Sequence, residues 1–328
     1  MASPARIVVA YASIGSGHRI AAEAVAHEVA EQAGKAVEVE LVDVLEAAAF
    51  GPSGERMSSM FRSGGLVFSD AAWTRNAWGR LALALGTPVL ASALRAFERR
   101  IVAAPPAAVI CTHSWPAVLT TRLVRRGRLR TKIVCVATDF AVHALWPRIG
   151  VSLFCVADAV SAEQVAARGI DAETVVTGIP VRAQFTLEYD RTAAREHFGL
   201  PSDSRIILVL AGASSPDRYT HLKPAFEVAM PALASMPETT VAVITGNDAA
   251  YADALRARAS GFGTGNVHVL GYTERVAPLM AAADLGIAKP GGLVCAECVD
   301  SGLPLTLVGP TAGQERANAR ALVAAGVA

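Results

Sequence analysis

Two stretches hold residue types and spacings able to do chemistry. In the first, Lys289-Pro290-Gly291-Gly292-Leu293-Val294 follows a short apolar run at 285–288, and Glu297 comes a little further on. A strand, a glycine turn and a helix N-terminus in that order leave backbone N–H groups free. Together with the helix dipole they make a site for an anion such as a diphosphate. Glu297, about one turn into the helix, can accept two hydrogen bonds from a sugar diol such as a ribose. Gln314 and Glu315 follow the next apolar run, 303–307, on the same carboxyl edge of the sheet where open α/β folds bind ligands. A lone Pro-Gly-Gly is as readily an ordinary turn. The three features in sequence point to a nucleotide sugar.

The second stretch is Ser13-Ile14-Gly15-Ser16-Gly17-His18, between a strand at 6–12 and a helix at about 19–33. Its glycines allow a tight turn and close approach to a ligand. Only Gly15 and Gly17 are present and a histidine comes next, so this is not the dinucleotide fingerprint. At a helix N-terminus an imidazole holds its proton less tightly, so His18 suits a neutral proton acceptor; a capping or surface histidine suits the place too. Later strand ends carry Thr112-His113-Ser114 and Thr138-Asp139, the latter followed by His143 and Trp146. Asp139 and His143 could orient one another, and either could serve as a base towards an acceptor hydroxyl. Arg182, beside the expected interdomain cleft, is a candidate diphosphate contact or a plain surface arginine. Gly212 opens a second glycine-containing turn after a strand at 205–211, and Gly271-Tyr272 follows a strand at 267–270, where backbone groups could pair with a base. The backbone and side chains assigned to the donor are thus Gly17, Arg182, Gly212, Tyr272, Lys289, Gly291, Gly292, Leu293, Val294, Glu297, Gln314 and Glu315.

The elements that must position these residues alternate regularly. Strands are expected at 6–12, 37–42, 107–111, 131–137, 151–156 and 174–177, and again at 205–211, 240–245, 267–270, 285–288 and 303–307, with helices between many of them. Such alternation in both halves predicts an α/β protein of two facing, doubly wound parallel sheets with a cleft between them. The boundary falls where 178–182 leaves the last strand of the first half and enters an irregular connector at 183–191. That gives residues 1–182 as an acceptor-binding domain and 183–328 as a donor-binding domain. Between them the lengths suffice for two cores. Residues 45–65 show weak periodicity, and 66–85 and 89–102 read as amphipathic helices. An exposed subset there, Met57, Met60, Phe61 and Leu66, could form a lip for a lipid or other apolar acceptor, with Trp146 lining the same acceptor region; packing against the sheet is the default for such groups.

Composition excludes several classes. Lys and Arg number 30 against 29 Asp and Glu, so overall charge gives no footing for nucleic acid or a polybasic tether. A scatter of arginines (Arg56, Arg62, Arg75, Arg80, Arg95, Arg99, Arg100) would favour peripheral contact with an anionic membrane, although solvated helix faces account for it equally. Neither a signal peptide nor a membrane span is expected: residues 81–97 are broken by Gly86 and Pro88, and 103–121 contain three prolines and His113. Five cysteines, an odd number set in apolar runs, point to the reducing cytoplasm. Cys295-x-x-Cys298 lacks a second pair or a nearby histidine and reads as core packing. No metal cluster is evident.

Gly15-Ser-Gly-His18, Thr138-Asp139 with His143 and Trp146, 177–182, Gly271-Tyr272, Lys289-Pro-Gly-Gly292 with Glu297, and Gly313-Gln-Glu315 with Asn318 occur in one order over nearly the whole chain. In this the chain resembles the bacterial diacylglycerol glucosyltransferases and plant monogalactosyldiacylglycerol synthases of glycosyltransferase family 28. The wider group includes the UDP-N-acetylglucosamine transferase of peptidoglycan lipid synthesis. The resemblance implies a GT-B fold, a UDP-sugar donor, and metal-independent transfer of a hexose with inversion, without a cofactor, to an acceptor hydroxyl, foremost that of a diacylglycerol-type lipid at the inner face of the cell membrane. It implies that Tyr272 meets the uracil through its backbone, Glu297 the ribose, Gly292–Val294 the diphosphate, and Gln314 and Glu315 the sugar hydroxyls, with His18 as base on the acceptor side. Two departures stand out. Val294 occupies a place where many relatives carry threonine or serine, and the chain ends at Ala328, before helices that in relatives cross back onto the first domain. Three alternatives share these residues: transfer to a small-molecule aglycone, a UDP-sugar epimerase or hydrolase, and a UDP-sugar-sensing protein without turnover.

Overall fold

In a computed structural model the described residues are 3–13, 16–45, 95–213, 222–261, 265–310 and 313–328. Met57, Met60, Phe61 and Leu66 and the helix expected at 66–85 lie outside them, as do residues 89–94 of the helix expected at 89–102. By packing, the chain divides into two compact units, Met1–Arg182 with Thr311–Ala321, and Ala183–Pro310 with Leu322–Ala328.

The first unit is built on a parallel sheet. Its strands are β1 (Ala5–Tyr11), β2 (Val37–Asp43), β3 (Ala108–Cys111), β4 (Lys132–Val136), β5 (Leu153–Val156) and β6 (Glu173–Val176), in the order β2-β1-β3-β4-β5-β6. Side chains alternate across a strand, and β1 shows what that achieves. Val8, Ala10 and Ala12 point into a large core with Val109, Cys111, Ile133, Cys135 and Phe154. Val9 and Tyr11 point the other way, onto Ala22 of helix α1 (Ser16–Ala33). Both faces are therefore covered, as a near-continuous apolar strand requires. The larger core is closed by Phe97 and Ile101 of α2 (Arg95–Ala103) and by Trp115, Leu119 and Leu123 of α3 (Ser114–Arg125). The chain order reverses between β1 and β3, which creates a crevice at their carboxyl ends.

Helix α3 was not expected, because its stretch carries Pro116. That proline sits in the first turn, where an N–H would lack an intrahelical partner anyway. His113 caps the helix by accepting from Trp115 N at 3.1 Å. The unit also holds α4 (Ala159–Ala167), capped by Asp158.

The second unit repeats the plan. Strands β7 (Arg205–Ala213), β8 (Thr239–Gly246), β9 (Val267–Val269), β10 (Leu285–Ala288) and β11 (Leu305–Leu307) form a parallel sheet in the order β11-β10-β7-β8-β9. Odd-numbered residues Ile207, Val209, Val241 and Val243 pack on Phe226 and Met230 of α6 (Lys223–Ala234) and on Tyr251 and Leu255 of α7 (Ala249–Ser260). Leu208 and Ala242 on the opposite face are also fully buried. The connector expected at 183–191 holds a 3-10 turn at Ala183–Thr186 and is irregular from there to helix α5 (Arg191–His197), capped by Asp190. Arg195 of α5 is buried against Asp284, which also accepts from Ile206 N at 2.7 Å and so ties the strand starts together. The remaining helices among the described residues are α8 (Val276–Ala282), α9 (Gly292–Asp300) and α10 (Gln314–Ala324).

Candidate active site

In the first unit His18 is the third residue of α1, directly beyond β1. Its Nδ1 lies 2.9 Å from the backbone oxygen of Thr112, at the end of β3, and 2.9 Å from Thr138 Oγ1, beyond β4. A carbonyl oxygen can only accept, so Nδ1 carries a hydrogen, and in the neutral ring the lone pair is then on Nε2. Thr112 Oγ1 returns a bond to the backbone oxygen of His18 at 2.9 Å, which locks α1 to the end of β3. The His113 ring meets His18 edge to face at 4.6 Å.

Asp139 follows Thr138 and is 5% exposed. Its Oδ1 accepts from Asn318 Nδ2 at 3.0 Å and from Gln314 Nε2, both on the stretch of α10 that packs in this unit. Burial raises the Asp139 pKa; the charge of His18 and the two amides oppose that rise, while Glu315 adds to it. Four residues on, His143 Nδ1 accepts from Leu145 N at 3.1 Å, and the ring stacks on Trp146, which abuts Phe154. Burial, with the charges of His18 and Arg168, pushes the His143 pKa down to about 3. With its Nδ1 lone pair engaged and its basicity so low, His143 is a poor base. Burial first, then His18 and His143, likewise lowers that of His113. The sequence pairs Asp139 with His143; the bonds found orient Asp139 by two carboxamides and His143 by a backbone N–H.

In the second unit β10 ends at Ala288 and α9 begins at Gly292. Between them Gly291 N donates to Lys289 O at 2.8 Å, and Cys295 N donates to Gly291 O at 3.1 Å. Gly291, at the N-cap, contributes no side-chain cap. The N–H groups of Gly292, Leu293 and Val294 are the first of the helix and lie ahead of its i→i−4 ladder. Glu297 is buried in the same helix, at 6% exposure. Tyr272, after β9, is 61% exposed. Gly271 before it takes a positive φ of 68°.

Gly212 differs from its expected place. Strand β7 continues through it to Ala213 with a register irregularity, and the rest of the turn expected there lies outside the described residues. A Cβ on Gly212 would lie 2.1 Å from the backbone of Thr245. Its glycine is thus explained by the close approach of β8. Gln314 and Glu315 group by packing with the first unit, where Gln314 donates to Asp139. Gly17 lies inside α1 beside His18, and Arg182 is the last residue of the first unit's main segment. Among the described residues no group of three His, Cys, Asp or Glu is placed to hold a metal. No helix among them is long and apolar enough to cross a membrane. The five cysteines are free thiols, four of them buried.

Sequence reasoning put no role on Thr112 and Thr138. Their signal was present: a polar residue closing an apolar strand on the carboxyl edge. Asn318 was legible as well, because it stands one helical turn from Gln314 and so shares its face.

Residues 206–328 match the glycosyltransferase family 28 C-terminal domain, and residues 18–181, half of the chain, match the monogalactosyldiacylglycerol synthase family. The processive diacylglycerol beta-glucosyltransferase of Bacillus licheniformis is 30% identical over 211 residues, 64% of this chain and 53% of that protein. The enzyme of that name from Bacillus subtilis is 29% identical over the same share. The chain therefore spans about half the length of the curated relatives it matches. Among solved structures, MurG of Acinetobacter baumannii aligns with 98% of this chain and 84% of its own at TM-score 0.61 and 17% identity. HepE of Anabaena, in complex with UDP and glucose, aligns with 96% of this chain and 88% of its own at TM-score 0.52 and 14% identity. These likenesses identify the fold as GT-B. With residues 18–181 matching one family and residues 206–328 the other, the chain belongs to the monogalactosyldiacylglycerol synthase family of family 28 glycosyltransferases.

Proposed function

We propose that the protein transfers a hexose from a UDP-sugar to an acceptor hydroxyl, that of a diacylglycerol-type lipid, with inversion at the anomeric carbon. The observation that carries this reading is the fixed tautomer of His18. Thr112 O holds its Nδ1–H, so Nε2 is left as a proton acceptor on the ligand-binding edge of the first sheet.

In the step itself the acceptor hydroxyl gives its proton to His18 Nε2 as its oxygen attacks the anomeric carbon. The bond from that carbon to the UDP oxygen breaks, and its electron pair leaves with UDP. The imidazolium that forms is stabilised by the charge of Asp139, whose own titration His18 pulls down. The N–H groups of Gly292, Leu293 and Val294 and the dipole of α9 take the negative charge of the diphosphate, as in anion sites at other helix N-termini. Lys289 and Arg182 add positive charge, Glu297 binds the ribose, and the exposed Tyr272 offers its backbone to the uracil. Val294 contributes its N–H alone, since it has no hydroxyl. Charge neutralisation of this kind needs neither a metal nor a cofactor, and transfer is expected to persist in excess chelator.

The relatives named for diacylglycerol support a lipid acceptor, with the protein working as a peripheral enzyme at the cytoplasmic face of the membrane. Free buried thiols suit that compartment. The test is to incubate the protein with labelled UDP-glucose or UDP-galactose and diacylglycerol in mixed micelles, and to analyse the lipid phase. A β-linked glycolipid is expected. Label appearing only as free sugar or an epimer, with or without lipid, would replace this reading by the hydrolase or epimerase. Label moving only to a small aglycone would replace the acceptor.

A further inference from the structure

Asn318 is completely buried, and its side chain makes two bonds of opposite sense. Its Oδ1 accepts from Phe140 N at 2.9 Å, and its Nδ2 donates to Asp139 Oδ1 at 3.0 Å. The first bond dictates the second. A backbone N–H can only donate, so it fixes which end of the carboxamide faces it and turns the amide nitrogen onto Asp139. Gln314 donates to the same carboxylate oxygen. Two amide donors on one oxygen favour the ionised carboxylate, against the burial that favours the acid.

We propose that Asn318, assisted by Gln314, is a positioning residue that keeps Asp139 ionised as the counter-charge for His18. This rests on His18 acting as the base. It gives α10 a share in the acid–base chemistry of the first unit. The titratable groups facing Asp139 are His18 from α1 and Glu315 from α10; His113 and His143, on the neighbouring strand ends, each feel the His18 charge.

The near-isosteric variant Asn318→Asp separates an electrostatic role from a merely structural one. Its carboxylate still accepts from Phe140 N but places an acidic oxygen against Asp139. While the two carboxylates share one proton, that proton bridges them and stands in for the amide hydrogen. When it leaves, two like charges face each other. Transfer by Asn318→Asp is therefore expected near the wild-type rate at the acid end of the profile. Its kcat/KM should fall by about tenfold or more towards pH 9 relative to wild type, marking a new ionisation with a raised pKa. Asn318→Leu, which offers neither state, should be slow at every pH.

A second readout needs no substrate. The shared proton is bound more tightly in the folded protein than in the unfolded chain. Its contribution is present at low pH and lost as pH rises through the raised folded pKa. The melting temperature of Asn318→Asp should fall towards alkaline pH more steeply than that of wild type. Parallel curves for the two proteins, in rate or in melting, overturn the proposal. A wild type that performs no transfer overturns the function instead and leaves the melting comparison standing.

Discussion

At the residue scale, one histidine and two glycines carry the sharpest expectations. Removal of the His18 imidazole takes away proton transfer and leaves the glycine turn of the second unit intact. His18→Ala should lower kcat by roughly 100- to 10,000-fold, with UDP affinity by calorimetry within about twofold of wild type on the same argument. Turnover within threefold of wild type would remove His18 from the base role. Gly291 and Gly212 look alike in sequence and differ in space. A Cβ on Gly291 would meet Val294 Cγ1 at 3.4 Å and Lys289 Cε at 3.9 Å, ordinary contact distances, at an ordinary φ of −74°. Gly291→Ala should thus leave the melting temperature nearly unchanged and weaken UDP binding, because the added methyl intrudes only on a bound diphosphate. Gly212→Ala drives a methyl into the Thr245 backbone and should lower stability whether or not nucleotide is present. Equal loss of stability in both variants would cancel the distinction.

At the scale of elements, the turns after β3 and β4 store an acid-sensitive charge balance. His113 and His143 are neutral in the folded protein because burial lowers their pKa, in His143 to about 3. In the unfolded chain each takes up a proton near pH 6.5. Between those values the unfolded state binds protons that the folded state refuses, so stability rises with pH and falls as pH drops below about 6.5, by at most about 1.4 kcal/mol per pH unit for each histidine. His143→Asn keeps an oxygen acceptor for Leu145 N and removes the titration. Its stability curve between pH 6.5 and 4.5 should be shallower than wild type by about one proton, as read from denaturant midpoints. An unchanged slope would show that His143 charges freely in the fold.

The strands and the strand-end polar residues were legible in the sequence, because buried parallel strands are near-continuous apolar runs bounded by polar groups. The run at 285–288 coincides with β10, and the polar residues at 112–113 and 138–139 do gather round His18. Less legible was whatever depended on tertiary neighbours. Helix α3 hid behind Pro116, and α5 behind polar residues too few to show a period. The backbone of β8 against Gly212 was likewise hidden. The bond from Gln314 to Asp139 was hidden because sequence order shows which strand a residue follows and conceals which partner its side chain meets.

At the scale of the whole molecule, two units with separate cores mean that nucleotide and acceptor chemistry should report independently. Apart from Arg182, the proposed UDP contacts, at Tyr272, Lys289, the start of α9 and Glu297, lie in the second unit. Binding to the folded state alone stabilises it in proportion to the logarithm of ligand excess, about 2.7 kcal/mol at a hundredfold excess over Kd. For a unit of this size that is a rise of roughly 10 °C in its melting temperature. Because a protein with two cores need not melt in one step, amide hydrogen exchange is the better measurement. UDP should slow exchange in the peptides that cover 288–297, while the start of α1 and the turns at 112–113 and 138–143 keep their rates. Glu297→Ala should reduce that protection without altering exchange in the first unit. Protection centred on 112–113 and 138–143, with none at 288–297, would place the nucleotide in the wrong unit. The donor assignment and the charge-neutralising role of the Gly291–Gly292 turn would then both be withdrawn, while His18 and its tautomer would stand as geometry in search of another substrate.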